Sequence, residues 1–163
     1  MWLFDCGLYQ GHRDEADRVN RTFRFAPGDL DAVVLSHAHL DHSGNLPTLV
    51  AQGFRGPIHA TPATVDLCRV MLADSAFLME RDVDARQPPL ARSRQSERRR
   101  ATPLYTEADV QETLSRFTTH EYHGGFTPFP DVHASSTSTP GTSSARRSRR
   151  SSSVTAGRRS ASA

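Results

Sequence analysis

A buried strand that leads directly into a cluster of histidines restricts what this chain can fold into. The apolar segment Ala32-Val33-Val34-Leu35 lies in a predicted strand, Asp31–Ser36. The chain then reads Ser36-His37-Ala38-His39-Leu40-Asp41-His42-Ser43-Gly44. Side chains alternate along extended backbone, so His37 and His39 are expected to point the same way and to bind one metal ion. Asp41 and His42 lie beyond, where the chain turns, and can reach a second ion.

The residue types in this run are those of a hydrolytic zinc site. Neutral imidazole and carboxylate are the usual nitrogen and oxygen ligands of Zn²⁺. A metal ion lowers the pKa of bound water from 15.7 to about 7, which supplies a nucleophile at neutral pH. A solvated His-rich turn is the alternative interpretation. Four ligand-type residues within six positions, directly after an apolar strand, favour the metal site.

The run and its neighbours resemble a known family. The run His37–His42 is similar to the signature of metallo-β-lactamase-fold hydrolases. The flanking segments resemble the β-CASP branch, which comprises RNA-processing exonucleases and endonucleases related to the cleavage and polyadenylation nuclease. The resemblance extends from about Leu3 to about Val132, and the segments that carry it are Asp5-Cys6-Gly7-Leu8-Tyr9-Gln10-Gly11, Gly53-Phe54-Arg55-Gly56-Pro57-Ile58, Thr61-Pro62-Ala63-Thr64, Asp74-Ser75 and Pro103-Leu104-Tyr105-Thr106-Glu107-Ala108-Asp109-Val110.

The resemblance implies an α/β fold, the N-terminal part of a metallo-β-lactamase αββα sandwich. It implies two zinc ions, with His37 and His39 on the first and Asp41 and His42 on the second, and hydrolysis of RNA phosphodiesters by a metal-bound hydroxide. Asp41 and Asp5 are then the catalytic carboxylates, Asp5 as a group that orients the ligand loop. Without the resemblance, an ordinary turn carboxylate before Gly7 is an equally good interpretation of Asp5.

Several parts of the family pattern are missing from the chain. These are the opening β-hairpin, a third histidine ligand, a bridging aspartate and the β-CASP insertion, so the chain is expected to be truncated. None of His120, His123 and His133 has the sequence context of the missing ligand. Because catalytic zinc normally has three protein ligands, the chain alone is predicted to bind zinc weakly and to be impaired as a nuclease. A non-catalytic fragment or binding module is the second hypothesis. The third hypothesis is a lactonase or thioesterase of the same fold. The segments 61–64 and 105–107 argue against it, because they resemble the RNA nuclease branch.

Composition divides the chain near residue 133. Residues 1–133 are interpreted as a partial metallo-β-lactamase-like domain. Residues 134–163 are rich in Ser, Thr and Arg, contain almost nothing apolar, and are predicted to be a disordered tail. An Arg/Ser-rich RNA-binding tail is the competing interpretation.

The codons that the tail permits suggest a change of reading frame. The family motif expected here is Asp-Ala-Gly-His-Ile-Leu-Gly-Ser-Ala. The tail instead reads Thr139-Pro140-Gly141-Thr142-Ser143-Ser144-Ala145-Arg146-Arg147. When the codons for this stretch are read one base earlier, each new triplet has a free first base and two fixed bases. In every triplet the two fixed bases match a codon for the motif residue at that position, so the shifted frame can encode the missing motif. The hypothesis is that the tail is a frameshift product of a GC-rich gene.

Charge and cysteine content indicate the setting of the protein. The formal net charge is +2, and most of the positive excess lies in 86–100 and 146–159, so the composition gives no ground for predicting a basic nucleic-acid face on the body. The stretch 86–100 is interpreted as a solvated insertion, with an RNA-backbone contact as the alternative.

Two cysteines make no disulfide framework, and neither a signal peptide nor a membrane span is visible, so the expected location is cytoplasmic. RNA is the expected partner, and open sheet edges favour homo-oligomers or aggregation.

Local patterns predict the elements around the run. Trp2-Leu3-Phe4 and Pro57–Ala60 are predicted strands, and a helix is expected to start near Ser43-Gly44-Asn45 and to end before Gly53. A helix is predicted from Pro62 to about Arg81. Thr106 is predicted to cap another helix together with Asp109, and Val110, Leu114 and Phe117 are expected on its buried face.

Overall fold

The computed structural model describes residues 1–85, 102–122, 125–129, 132–139 and 142–148. The Arg-rich stretch 86–100, His123 and the last fifteen residues of the predicted tail, 149–163, therefore lie outside the described residues. In chain order the elements are β1 Trp2–Phe4, α1 Arg13–Asn20, a 3₁₀ turn Pro27–Asp29, β2 Ala32–Val34, α2 Leu40–Ser43, α3 Leu46–Ala51, β3 Ile58–Ala60, α4 Pro62–Ala85, α5 Glu107–Ser115, β4 Phe117–Thr119, β5 Gly125–Phe129, β6 Val132–Thr139 and β7 Thr142–Ser148.

The first sheet positions the histidine run. Its strand order is β1-β2-β3-β4, and all three neighbouring pairs are parallel. Parallel strands place their carboxyl ends at one edge, so the segments that follow β1, β2, β3 and β4 meet there. The prediction of an α/β fold with short strands at 2–4, about 31–36 and 57–60 is confirmed. The expected burial of the first strand is wrong, because Trp2 and Leu3 are half-buried and Phe4 is 47% exposed.

Helices cover the buried face of this sheet. The core contains Val33, Ile58, Leu49, Leu72 and Val110, all fully buried. Helix α4 contributes a broad apolar side because its buried residues recur three or four positions apart. It ends at Ala85, four residues beyond the predicted end near Arg81.

Two predicted helix boundaries are confirmed by hydrogen bonds. Thr106 and Asp109 form a capping box at the start of α5, with the Thr106 amide donating to Asp109 Oδ2 at 2.8 Å. Gly53 follows α3 with a φ of 112°, in the left-handed region. Its amide donates to the Val50 carbonyl and the Phe54 amide to the Leu49 carbonyl, which is the Schellman pattern.

Two local expectations are corrected by the structure. Phe117 packs against the core but lies in β4, because α5 ends at Ser115 before the strand begins. The helix expected near residues 43–45 is two short helices, since α2 closes at Ser43 and α3 starts at Leu46 after Asn45. The break keeps the carbonyl side of α2 close to the loop after β1, as the Asn45 amide donates to the Cys6 carbonyl at 2.9 Å.

A second, antiparallel sheet has the order β5-β6-β7. Strands β6 and β7 lie largely in the segment after 133, for which a disordered tail is predicted. Their pairing is regular from His133 with Ser148 to Thr139 with Thr142. Backbone hydrogen bonds need no apolar side chains, and threonine favours extended backbone, which accounts for strands in so polar a sequence. The domain boundary at 133 stays a prediction.

Two further findings concern the setting of the chain. Among the described residues, no helix is long and apolar enough to cross a membrane. Cys6 and Cys68 are buried free thiols, in agreement with the expected lack of a disulfide framework.

Candidate metal centre

The predicted ligand residues lie together at the carboxyl edge of the first sheet. Asp5 directly follows β1, and Ser36 to His42 follow β2, which pairs with β1 through Phe4 and Val34. The Asp5 amide donates to the Val34 carbonyl at 3.0 Å, so the pairing continues one residue past β1. The parallel sheet therefore brings together two segments that are thirty residues apart in sequence.

Backbone hydrogen bonds hold the two loops against each other. The Cys6 amide donates to the His42 carbonyl at 2.7 Å, and the Leu8 amide donates to the Leu40 carbonyl at 2.8 Å. Between them, Gly7 faces the peptide of Asp41 so closely that a Cβ atom would overlap the Asp41 carbonyl. The glycine is required here by close approach of two backbones.

His37 and His39 converge as the alternation of extended backbone predicts. His37 Nε2 lies 3.1 Å from His39 Nδ1, and the ring centroids are 4.7 Å apart. The pKa of His37 is lowered by burial first and by the neighbouring His42 and His39 next, while Asp5 and Asp41 oppose the shift. Its ring is therefore held towards the neutral form, which is the form that binds metal.

Asp41 and His42 form a second donor pair on α2, where a donor is a side-chain atom that could bind a metal ion. His42 Nε2 lies 3.6 Å from Asp41 Oδ2, and the His42 ring lies 4.0 Å from that of His37 between centroids. Asp41 is exposed and His42 is half-buried, so both face the open side of the edge. The second half of the run thus projects its donors beside those of His37 and His39.

Asp5 lies behind the ligands and is largely buried, with 15% of its side chain exposed. It adopts a φ of 59°, a left-handed conformation rare for a residue other than glycine. Its Oδ1 accepts from the Ser36 amide at 2.7 Å, and its Oδ2 lies 2.8 Å from both Ser36 Oγ and His42 Nδ1. These contacts favour an orienting role for Asp5 over that of an ordinary turn carboxylate.

Ser36 is a member of this cluster that sequence reasoning passed over. Its hydroxyl oxygen lies 2.8 Å from Asp5 Oδ2 and 2.9 Å from His37 Nδ1, and it connects the carboxylate to the first ligand. A hydroxyl residue directly before the first histidine is the available sequence signal. That signal has meaning only once the sheet has placed Asp5 beside it.

The two donor pairs fit zinc in their spacing. Zinc–nitrogen bonds of about 2.0–2.1 Å in a tetrahedron separate two ligand atoms by roughly 3.3 Å. The distances of 3.1 Å for His37 with His39 and 3.6 Å for His42 with Asp41 lie on either side of this value. Among the residues that the structure describes, no group of three or more His, Cys, Asp or Glu side chains is arranged to hold one ion. The two predicted ligand pairs therefore remain pairs within the described residues.

A second histidine cluster lies on β3, the strand next to β2, and at the end of β4. His59 on β3 and His120 after β4 are 2.8 Å apart between Nδ1 and Nε2, and the His120 ring stacks on Phe126. The cluster is held by its own hydrogen bond and by aromatic packing. These contacts account for His59 and His120 by packing, in agreement with the low expectation that His120 is a metal ligand.

Sequence comparison agrees with this fold and site. The family model described as the metallo-beta-lactamase superfamily matches residues 3–134. The chain belongs to the metallo-beta-lactamase superfamily, and its described residues form the N-terminal part of that α/β fold.

Named relatives confirm the resemblance to the β-CASP RNA nuclease branch. Ribonuclease TTHA0252 of Thermus thermophilus is 38% identical over 120 residues, covering 74% of this chain and 22% of the relative. Transcription termination factor FttA of Cenarchaeum symbiosum is 32% identical over 132 residues, 80% of this chain and 18% of the relative. Integrator complex subunit 11 of Gallus gallus is 35% identical over 77 residues, 44% of this chain and 13% of the relative. The chain spans about a fifth of the length of the first two relatives.

Among solved structures, the Rm3 metallo-beta-lactamase aligns with 91% of this chain and 47% of its own length. The sequence identity is 18% and the TM-score 0.44.

Proposed function

We propose that this chain carries the first half of a two-zinc centre that hydrolyses RNA phosphodiesters. His37 and His39 would hold one ion, and Asp41 and His42 the other. The observation that carries the proposal is the arrangement of two donor pairs, 3.1 Å and 3.6 Å apart, at the carboxyl edge of a parallel sheet. RNA is proposed as the substrate because relatives that share this part of the chain are named a ribonuclease, a transcription termination factor and an Integrator subunit.

The chain's own residues prepare this edge for metal and substrate. When bound, zinc supplies Lewis acidity and a water that is acidic enough to act as a nucleophile at neutral pH. Burial lowers the pKa of His37, which favours its neutral form. Asp5 Oδ2 lies 2.8 Å from His42 Nδ1 and orients the His42 ring. Asp41 is the exposed carboxylate of the cluster, with 57% of its side chain accessible to solvent.

A non-catalytic fragment is the second candidate function. It is favoured by one observation, that no three-ligand group forms within the described part of the chain. Such a fragment would associate through β1 and β4, the edge strands of the first sheet, either with itself or with a related full-length chain. The free thiols Cys6 and Cys68 fit a reducing compartment such as the cytoplasm.

The two candidates are separated by an assay with excess zinc. The purified chain is incubated with end-labelled single-stranded RNA, a lactone and a thioester, with and without saturating zinc. We expect slow cleavage of RNA that requires zinc, disappears in Asp41→Asn and persists in the control Glu15→Gln, an exposed carboxylate on α1. Hydrolysis of the lactone or thioester alone would contradict RNA as the substrate. Intact RNA at saturating zinc would favour the non-catalytic fragment.

A further inference from the structure

We infer that Asp5 sets the ring tautomers of two metal ligands at once, of His42 directly and of His37 through the hydroxyl of Ser36. Ser36 is then a positioning residue for the zinc site. The inference rests on the proposed function for its meaning, but it concerns proton positions that exist in the metal-free protein. It names a role for Ser36 that the sequence run alone does not assign.

The first step is the contact between Asp5 and Ser36. An ionised carboxylate has lone pairs and no proton, so it only accepts hydrogen bonds. Asp5 Oδ2 lies 2.8 Å from Ser36 Oγ, so the serine proton points at the carboxylate. The backbone amide of Ser36 donates to the other oxygen, Oδ1, at 2.7 Å, and this second bond fixes the carboxylate in its plane.

The second step follows from the single proton of a hydroxyl. Because the Ser36 hydroxyl donates its one hydrogen bond to Asp5, its oxygen can only accept a hydrogen bond from His37 Nδ1, which lies 2.9 Å away. His37 must therefore carry its proton on Nδ1. Its lone pair is then on Nε2, the nitrogen that lies 3.1 Å from His39 Nδ1 and faces the proposed metal position.

His42 also carries its proton on Nδ1. Its Nδ1 lies 2.8 Å from Asp5 Oδ2, closer than the 3.4 Å to Ser36 Oγ, so it donates to the carboxylate. The lone pair of His42 is then on Nε2, the nitrogen 3.6 Å from Asp41 Oδ2. One buried carboxylate thus turns the free lone pairs of both rings towards the metal side.

The two rings depend on Asp5 in different ways, and this difference makes the inference testable. His42 is hydrogen-bonded directly to the Asp5 carboxylate, whereas His37 is linked to it through the Ser36 hydroxyl. Removing the hydroxyl should release His37 and leave His42 in place. Threonine keeps the hydroxyl and should restore His37.

The test reads tautomers in the metal-free chain by long-range ¹H–¹⁵N correlation of labelled histidine rings at about pH 8, where imidazoles are neutral. We expect the Nδ1–H tautomer for both His37 and His42 in the wild type. In Ser36→Ala, His37 shifts towards the Nε2–H tautomer and His42 does not. Ser36→Thr and the control Ser115→Ala, whose hydroxyl donates to the Glu112 carbonyl far from this cluster, match the wild type. An Nε2–H tautomer of His37 in the wild type would overturn the inference, whether or not any variant folds.

A second readout links the tautomers to metal affinity. Competition with a chromophoric chelator should show zinc binding roughly tenfold weaker in Ser36→Ala, because residues that orient ligands typically contribute tenfold or more to affinity. Ser36→Thr should recover it. Weaker zinc in Ser36→Ala with an unchanged His37 tautomer would reject the relay. The tautomers stand independently of RNA cleavage, so a failed nuclease assay would reject the proposed function and leave this inference in place.

Discussion

His59 and His120 share a hydrogen bond across neighbouring strands, with His59 Nδ1 2.8 Å from His120 Nε2. The bond requires at least one neutral ring, because two imidazolium ions have no acceptor between them. Phe126 stacks on His120 at a centroid distance of 3.7 Å and an interplanar angle of 9°. The pair therefore joins β3 and β4 to the second sheet at a point that depends on protonation.

The pair predicts a loss of stability in mild acid. Burial lowers the pKa of His59, with His120 adding to the shift, and burial lowers the pKa of His120. A histidine whose pKa is lower in the folded state binds more protons when unfolded, so its contribution is complete above the unfolded pKa of about 6.5 and is lost as pH falls through the folded value. The free energy of urea unfolding should therefore fall between about pH 7.5 and 5.5.

A variant isolates this contribution from that of other groups. His120→Phe keeps a ring against Phe126 but cannot titrate, so its unfolding free energy should fall less over the same pH interval. His12→Phe is the control, because it replaces an exposed histidine and leaves the His59–His120 pair intact. Its unfolding free energy should therefore depend on pH as that of the wild type does. Equal pH dependence in His120→Phe and wild type would show that the pair does not couple protonation to folding.

Gly7→Ala should destabilise the chain by roughly 1–3 kcal/mol, the usual cost of overpacking a closed site. The new Cβ would overlap the Asp41 carbonyl and push the α2 turn away from the loop after β1. Urea unfolding measures the change. Gly28→Ala is the control, since the nearest atom to a Cβ there, within the described part of the chain, is the Gly53 carbonyl oxygen at 3.7 Å, an ordinary contact. A Gly7→Ala variant as stable as Gly28→Ala would contradict the close approach of the two loops.

The two thiols should be unreactive in the folded chain. Burial raises the pKa of Cys6 to about 12, with Asp5 adding to the shift, and burial raises the pKa of Cys68 to about 11. The thiolate is the reactive form, so a disulfide reagent at about pH 8 should label neither cysteine before unfolding and both in urea. Rapid labelling of native Cys6 would show that the loop after β1 is open.

The same thiols predict a loss of stability in alkali. Their folded pKa values lie above the unfolded value of about 9, so the stabilisation is complete below pH 9 and declines as pH rises towards 11 and 12. Cys68→Ala removes one of the two groups. Its unfolding free energy should therefore fall less between pH 9 and 11 than that of the wild type.

The reading-frame hypothesis is tested on DNA. Verified sequence across codons 125 to 163 should contain an added or missing base upstream of Thr139, and the restored frame should encode the nine-residue motif in place of 139–147. An intact frame in verified DNA would remove the hypothesis and leave the tail as an authentic segment.

The sequence predicted the elements whose signals are local. The capping box of Thr106 and Asp109 and the C-terminal glycine of α3 depend only on neighbouring residues, and both are found where expected. The convergence of His37 and His39 also follows from a local rule, the alternation of extended backbone. These parts of the fold and site were accessible because each depends on a few consecutive residues.

The contacts that the sequence did not predict are those made across the sheet. Ser36 has no visible role until β1 brings Asp5 to it, and His59 meets His120 only because β3 and β4 are parallel neighbours. The strands β6 and β7 were missed for another reason. Their pairing depends on backbone hydrogen bonds. Amino-acid composition describes only the side chains, so it does not predict this pairing.

The central claim is that this chain holds half of a zinc centre, and zinc content tests it most directly. The purified chain is loaded with zinc, dialysed against buffer without added metal and analysed for zinc per chain, alongside an RNA-cleavage assay without added metal. Wild type should retain well under one zinc per chain and leave RNA intact. A double variant, His37→Ala with His39→Ala, should retain still less, and His120→Ala should match the wild type. One or two zinc ions per chain that survive dialysis, together with turnover of RNA, would contradict the account.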